Sequence, residues 1–399
     1  MSIIKFIKDN LEFINEKVEN KDNNSDLKFK LIYKKPNELL TFIFQGSGSF
    51  GNVYKVINHT KNKSEIPINK SVILKIMKKK TDELNRLKLI GEMISKIKDR
   101  YLINKYIMRI NNIDYDKNLV FLECIDGFTL KDYVKKNILT ESEFNILLLK
   151  AILCIKTMHN VLNFSHRDIK GPNIVYDPNK KNMKCIDYGF VVQLDDDSYK
   201  NRYNGTSSYI HPDMNKKRPR MKKNNSLKYP DYVSQDLFAT IIMLLKLYNS
   251  VLKVNSKNNN NRNNNNNTKK NKKNMNDFFQ DIMNKYSKII GKEKNSNSRN
   301  IKEKIRFYSK KKLLDKFLYI DENRINNPVI REIIKLLKEH WDESRTDFCI
   351  NKKNNLFITN FIFDSLVFNI FKVLKPSDEK KELYYDWCLI YNHKLKKLT

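Results

Sequence analysis

At 399 residues the chain can bury one or two cores, and 40% hydrophobic against 31% charged residues suits a globular protein with polar inserts. Five widely spaced cysteines (Cys124, Cys154, Cys185, Cys349 and Cys388), no C-x-x-C and six histidines without ligand spacing suggest neither a disulfide framework nor a zinc site, and point to a reducing, intracellular compartment. The net charge of +32 creates a field that attracts nucleic acid, acidic proteins or anionic membrane, although heavy use of Lys, Asn and Ile is also the composition that an A- and T-rich coding sequence yields.

The first residues do not form a secretory signal, because Lys5, Lys8, Asp9 and Glu12 interrupt the apolar ones. Ile4, Ile7, Leu11, Ile14 and Val18 recur at heptad spacing and predict an amphipathic helix over 2–18, packed on the adjacent domain. A polar linker follows at Glu19 to Asp26, so residues 1–38 are set apart from a domain over 39–350. Leu39 to Gln45 and Asn52 to Ile57 read as strands around Gly46-Ser47-Gly48-Ser49-Phe50-Gly51. A dinucleotide-binding loop would open a helix, with an acid about twenty residues on; here a strand follows, and Asn69 and Lys70 stand at that distance. A Walker-type loop ends Gly-Lys-Ser/Thr, whereas Asn52 follows Gly51. Val72-Ile73-Leu74-Lys75 is an apolar strand with one lysine, which asks for an anionic partner. The helix after it carries Glu83 and Glu92, and Gly91 inside it is roughly 1 kcal/mol worse than alanine.

Leu119 to Gly127 reads as a strand running into a turn. Thr140 to Leu162 is amphipathic, and Thr140 and Glu143 have the spacing of a capping box. His166-Arg167-Asp168-Ile169-Lys170-Gly171-Pro172-Asn173 then places an acid, a base and an amide within eight residues. Ile174 to Tyr176 and Met183 to Ile186 form two strands around the turn Asp177-Pro178-Asn179, closed by Asp187-Tyr188-Gly189. Two acids and an asparagine are thus presented on loops by rigid elements.

These motifs, in this order, resemble those of eukaryotic-type serine/threonine protein kinases. His166 to Asn173 matches H-R-D-x-K-x-x-N, Asp187 to Gly189 matches D-F-G, and Val72 to Lys75 matches V-A-I-K. The resemblance covers roughly residues 40 to 350. It implies an α+β, two-lobed fold with a small β-rich N-lobe and a larger helical C-lobe, and ATP in the cleft beneath the glycine lid. Gln45, Gly46, Ser47, Gly48, Ser49, Phe50, Gly51 and Asn52 would form that lid, with Val53 over the adenine. Lys75 would contact the α- and β-phosphates and a glutamate of the next helix, for which Glu92 is preferred to Glu83. Leu122 would be the gatekeeper, and Glu123 to Ile125 the hinge. Asp168 would accept the substrate hydroxyl proton, Lys170 would neutralise charge on the transferring phosphoryl group, and Asn173 and Asp187 would hold Mg²⁺. Lys170, two residues after Asp168, is the serine/threonine pattern. Gly171 stands for the usual Pro and Tyr188 for the usual Phe, and neither change removes a reactive group.

Phe190 to Asp213 corresponds to the activation segment, with Gly205 to Asp213 resembling G-T-x-x-Y-x-A-P-E. Asp213 keeps the charge of the usual glutamate, and Arg345 is its expected partner. Thr206 is expected to contact the catalytic loop. Arg167 is expected to meet a phosphate on Ser198, Tyr199 or Tyr203, or the charges of Asp195 to Asp197. Lys216 to Lys228 is a basic insertion, either selective for acidic substrates or a solvated loop. Asp236 opens a hydrophobic run to Tyr248 and is expected to support the catalytic-loop backbone; Phe238 and Thr240 replace the family's Trp and Gly. Asn255 to Asn276 is low-complexity and expected to be disordered. Phe278 to Ile290, Ile301 to Ile320 and Val329 to His340 read as helices, and 351–399 as a helical extension. Within it, Asn360, Asp364 and Asn369 argue against a membrane span over Phe357 to Leu374. The resemblance implies a kinase using ATP and Mg²⁺ on serine or threonine of a protein, and the net charge points to an acidic one; a pseudokinase scaffold and a basic nucleic-acid-binding protein are the alternatives. The composition suggests a giant virus or a protist as the source.

Overall fold

The structure is a computed structural model, and it describes residues 7, 28–32, 39–47, 51–59, 71–77, 82–194, 205–206, 208–210, 232–262, 279–285, 320–321, 323, 325–340 and 355–395. The chain divides into two compact units, 1–104 with 108–126, and 105–107 with 127–399.

The first unit is built on a six-stranded antiparallel sheet of order β1-β2-β3-β4-β6-β5, comprising β1 Lys28–Ile32, β2 Leu39–Ser47, β3 Gly51–Asn58, β4 Ser71–Met77, β5 Ile110–Asp114 and β6 Leu119–Glu123. Alternation does the sorting, because successive strand residues face opposite sides. Leu40, Phe42, Tyr54, Val56, Val72, Leu74, Ile76, Leu119 and Phe121 form the core cluster on one face. Lys75 therefore falls on the other face, in register with Val53 on β3 and Val120 on β6. Helix α1, Asp82–Lys96, follows β4, and its buried residues Glu83, Leu84, Leu87, Ile90 and Ile94 make one stripe.

Two sequence boundaries need correction here. Strand β1 lies inside the stretch assigned to the N-terminal helix and linker, and it pairs with β2 from Lys28↔Ile43 to Ile32↔Leu39. The sheet therefore begins before residue 39. Ile7, alone described within 2–18, is helical and fully buried in the sheet's core cluster.

The second unit is mostly helical. Helix α2, Tyr101–Tyr106, has its first four residues in the first unit and its last two in the second; the second unit then carries α3 Leu130–Lys136, α4 Glu141–Asn160, α5 Tyr232–Arg262, α6 Pro328–His340, α7 Asn355–Val373 and α8 Asp378–Leu395, and residues 279–285 are also helical. It also holds two small ladders: β9 Ile174–Asp177 lies between β7 Phe128–Thr129 and β10 Asn182–Cys185, and β8 Phe164–Ser165 pairs with β11 Val192–Gln193. The predicted capping box opens α4, with Thr140 Oγ1 accepting from Glu143 N and the Glu143 carboxylate accepting from Thr140 N. Among the described residues one helix, Gln235–Asn255 within α5, is long and apolar enough to cross a membrane; most of it is buried inside the protein, as a core helix is.

Helix α5 runs on through Asn255 to Arg262, so the first residues of the low-complexity segment are helical rather than disordered. Extending an existing helix adds one hydrogen bond per residue fixed and avoids the cost of nucleation. The remainder of that segment lies outside the described residues.

Residues 355–395 are bound into this unit by charge as well as packing. Three lysines of the unit are buried and meet carboxylates of α7 and α8. Lys150 Nζ lies 2.7 Å from Glu379, Lys156 Nζ 2.7 Å from Asp364, and Lys105 Nζ 2.5 Å from Glu382 and 2.7 Å from Asp386. Asp364 also takes Lys394 at 2.8 Å. Burial pulls the Lys156 ammonium down to about 8 although Asp364 favours its charge. The native pKa is thus below the unfolded one, so the unfolded chain holds more protons between about pH 8 and 10.5, and this group's contribution to stability rises through that window. Relative to Lys156→Met, the wild type should gain up to about 3 kcal/mol of unfolding free energy between pH 7.5 and 10.5. Denaturant unfolding of both at the two pH values checks this, and a constant gap between them would refute it.

Candidate active site

Within the first unit, β2 and β3 form the glycine-rich hairpin. Their register shifts between Phe44 and Gly46, placing an irregularity at Gln45, after which Gly46 pairs with Val53 and Ser47 with Asn52. Gly51 opens β3 so close to β4 that a Cβ there would stand 2.1 Å from the Ile76 carbonyl oxygen. A side chain at 51 would push apart the two strands that place Val53 opposite Lys75. Gly48, Ser49 and Phe50 lie outside the described residues.

Lys75 Nζ meets Glu83 at 2.5 Å, with the carboxylate side chain 2% exposed. Glu92, the residue preferred from the sequence, does not partner Lys75; it is 52% exposed and lies 3.9 Å from Lys88. The cause is helical geometry. Nine residues at about 100° each turn the chain through roughly 900°, so Glu92 points half a turn away from Glu83. Glu123 ends β6; its N–H donates to the Arg109 carbonyl at 2.9 Å, and its carboxylate accepts from Arg109 N at 3.1 Å. Leu122 is buried, while Cys124 and Ile125 follow the strand half-buried.

Within the second unit, the loop between β8 and β9 is fastened to the start of α5. Asp236, fully buried in the first turns of α5, accepts from Ser165 Oγ at 2.9 Å, His166 N at 2.7 Å and Arg167 N at 2.8 Å, and contacts His159 Nε2 at 2.8 Å. Burial alone would push its carboxyl up, but the hydrogen bond and charge of His159, with His166 and the Arg167 N–H, hold it below the ordinary carboxylate range. The expected support from Asp236 is present. His159 and Ser165 are functional neighbours that the sequence reading did not single out.

So anchored, the loop turns sharply. Arg167 takes φ 63°, in the left-handed region that costs a non-glycine residue about 1–2 kcal/mol, and Asp187 takes the same angle. Asp168 is 3% exposed and accepts on both oxygens. Oδ1 takes the Thr206 N–H and the Thr206 hydroxyl, each at 2.7 Å. Oδ2 takes Lys170 Nζ at 2.7 Å and Asn173 Nδ2 at 3.0 Å. Lys170 Nζ also donates to Thr206 Oγ1 at 2.9 Å. The close approach of Thr206 needs Gly205, at φ 122°, because a Cβ there would lie 2.4 Å from the Arg167 carbonyl oxygen.

Asn173 and Asp187 are brought together by backbone: Ile186 N donates to the Asn173 carbonyl at 2.9 Å, and His166 Nε2 reaches the Ile186 carbonyl at 2.9 Å. Asn173 Nδ2 is committed to the Asp168 carbonyl and carboxylate, so the atom it has for a cation is its oxygen. With the carboxylate of Asp187, that is a hard-oxygen pair, a donor set suited to Mg²⁺ carried in with phosphates and waters. No group of three or more His, Cys, Asp or Glu among the described residues could hold a metal unaided. Tyr188 takes the aromatic place expected of it, buried, with its ring edge-on to His166 and its hydroxyl donating to the Cys185 carbonyl at 3.0 Å. Asp195 to Tyr203, Asp213, the basic insertion Lys216 to Lys228 and Arg345 lie outside the described residues.

The site thus gathers a buried carboxylate, a lysine, an asparagine and aspartate pair with oxygens to offer, and a threonine hydroxyl, and separately a glycine hairpin with a glutamate-paired lysine. Comparison with known proteins gives the same reading. The probable serine/threonine-protein kinases fnkE and fnkB of Dictyostelium discoideum are each 30% identical to the chain, over 51% and 41% of it. The probable serine/threonine-protein kinase nek2 of the same organism is 28% identical over 42% of it. The matched parts cover 15%, 30% and 41% of those relatives' own lengths. The protein kinase domain as a family matches residues 43–341, and the chain therefore belongs to the protein kinase family, with eukaryotic-type serine/threonine kinases as its relatives.

Proposed function

We propose that the chain transfers the γ-phosphoryl group of ATP to serine or threonine hydroxyls of a protein. One observation carries this reading: the Thr206 hydroxyl sits on Asp168 Oδ1 at 2.7 Å while Lys170 bridges the same two residues. A hydroxyl of the substrate's own type is thus bound by the group assigned to receive its proton. Asp168 takes the proton as the oxygen attacks, and its fixed position supplies orientation more than basicity. Lys170, with its ammonium beside the reacting oxygen, stabilises charge on the transferring group. Lys75, held by Glu83, contacts the nucleotide phosphates, and the glycine hairpin offers them backbone amides. Mg²⁺ bound by Asn173 and Asp187 would offset the negative charge of those phosphates.

Incubation with γ-labelled ATP, Mg²⁺ and acidic, neutral and basic generic proteins tests the reading. Label should appear on serine and threonine, and Asp168→Asn should lower its rate at least about a hundredfold, since a positioned proton acceptor contributes about 10²–10⁴. No transfer by folded wild type, or equal transfer by the variant, would refute it.

A further inference from the structure

Helix α5 holds one charged residue in the apolar stretch from Leu237 to Tyr248, and that residue is Lys246. Its Nζ stands 4.0 Å from the centroid of the Tyr209 ring. An ammonium over an aromatic face is stabilised by the ring's negative surface. Tyr209 is tied back to the centre of the site: its N–H donates to the Thr206 carbonyl at 2.8 Å, and Thr206 is the residue that caps Asp168 Oδ1. Asp168 is near enough for its charge to act, after burial, on Tyr209, whose hydroxyl is pushed up to about 12. The same helix carries Asp236, which fixes the Asp168 loop, so the lysine and the carboxylate are held by one rigid element.

The consequence is electrostatic. A cation held on a ring one tight turn from Thr206 repels basic residues that flank a phosphoacceptor placed on Asp168, and attracts acidic ones. The net charge of +32 acts in the same direction at long range. A lysine serving only to pack against Tyr209 would leave peptide choice unaffected. We propose that Lys246 is a specificity residue, selecting protein substrates with an acidic side chain within a few residues of the serine or threonine that is phosphorylated. This deepens, and rests on, the kinase reading above.

The test uses the full chain and three peptides that share one serine, flanked by glutamates, alanines or lysines. Wild type should prefer the glutamate peptide over the lysine peptide by at least tenfold in kcat/KM, mainly through KM, and the preference should shrink as salt is raised. Lys246→Met should erase most of the preference, and Lys246→Glu should reverse it, with the alanine peptide as internal reference. Equal use of the three peptides by wild type, or the same ratio in wild type and Lys246→Met, would overturn the assignment while leaving the kinase reading intact. No transfer to any of the three, or to generic proteins, would remove both. Because the net charge alone would give wild type some preference, the assignment stands or falls on the ratio in Lys246→Met, or in Lys246→Gln where the methionine variant fails to fold; a wild-type ratio kept by either would overturn it.

Discussion

Asp236→Ala should lower the unfolding free energy by about 3–5 kcal/mol and depress label transfer per folded molecule more than tenfold. The carboxylate binds Ser165 Oγ, His166 N, Arg167 N and His159 Nε2, all in a fully buried setting. Ser165 Oγ would keep the Tyr232 carbonyl at 3.2 Å, but alanine would strand the other three groups, each a loss of about 1–3 kcal/mol that the others partly share. In a unit of this size, the drop corresponds to a melting temperature lower by roughly 10 °C. The effect on transfer follows from Arg167. Its left-handed conformation is disfavoured for arginine and is held by the Asp236 bond to its N–H. Released, the loop relaxes, and Asp168, the next residue, leaves the position that Thr206 and Lys170 define. Asp236→Asn should fall between, because its amide keeps one accepting oxygen while turning an N–H₂ group toward donors. Calorimetry and the label assay on the three proteins give the order; a melting temperature and rate unchanged in the alanine variant would refute the argument.

Much of this site was legible because local rules and an ordered set of motifs agreed. The capping box at Thr140 and Glu143 is a four-residue signal, and it formed as written. Burial alternates along β3 from Tyr54 to Asn58 and along β4 from Ser71 to Ile76, whereas the short strands of the Asp187 hairpin are buried on both faces and were read from the turn between them. The Lys75 partner was also in the sequence, though as the second choice after Glu92. Leu84, Leu87, Ile90 and Ile94 define the buried face of α1, and Glu83 lies on it whereas Glu92 lies opposite. Helical phase would have decided between them. What could not be read are pairings across long stretches of chain. His159 meets Asp236 from 77 residues away, and Lys105 meets Glu382 from 277. Nothing local marks Lys150 or Lys156 as buried, because lysine at a helical position is ordinarily solvated. For the same reason residues 351–399 looked like an appendage.

A chain ended after residue 341, where the match to the protein kinase domain stops, should not fold into a stable protein. It would lose Asp364, Glu379, Glu382 and Asp386, the carboxylates set against Lys156, Lys150 and Lys105. Two of these pairs, Lys156 with Asp364 and Lys105 with Asp386, are buried on both sides; losing a buried partner costs about 3–5 kcal/mol wherever the lysine stays out of water, a large part of the 5–15 kcal/mol that typically separates folded from unfolded. The helices also bury Phe363, Leu366, Val367, Ile370, Leu383 and Ile390, side chains whose burial is worth about 1.5–3 kcal/mol each. The two contributions can be separated. In the full chain, Asp364→Asn with Asp386→Asn keeps the apolar packing and weakens the charge pairing; it should lower the melting temperature yet leave a cooperative transition. In the shortened chain, replacing Lys105, Lys150 and Lys156 by methionine removes the unpaired ammonium groups but leaves α4 bare and more apolar; it should not restore a sharp transition. A shortened chain that melts cooperatively at the temperature of the full one would show that α7 and α8 merely rest on a domain complete without them, and that the buried lysines find other partners or water once those helices are gone.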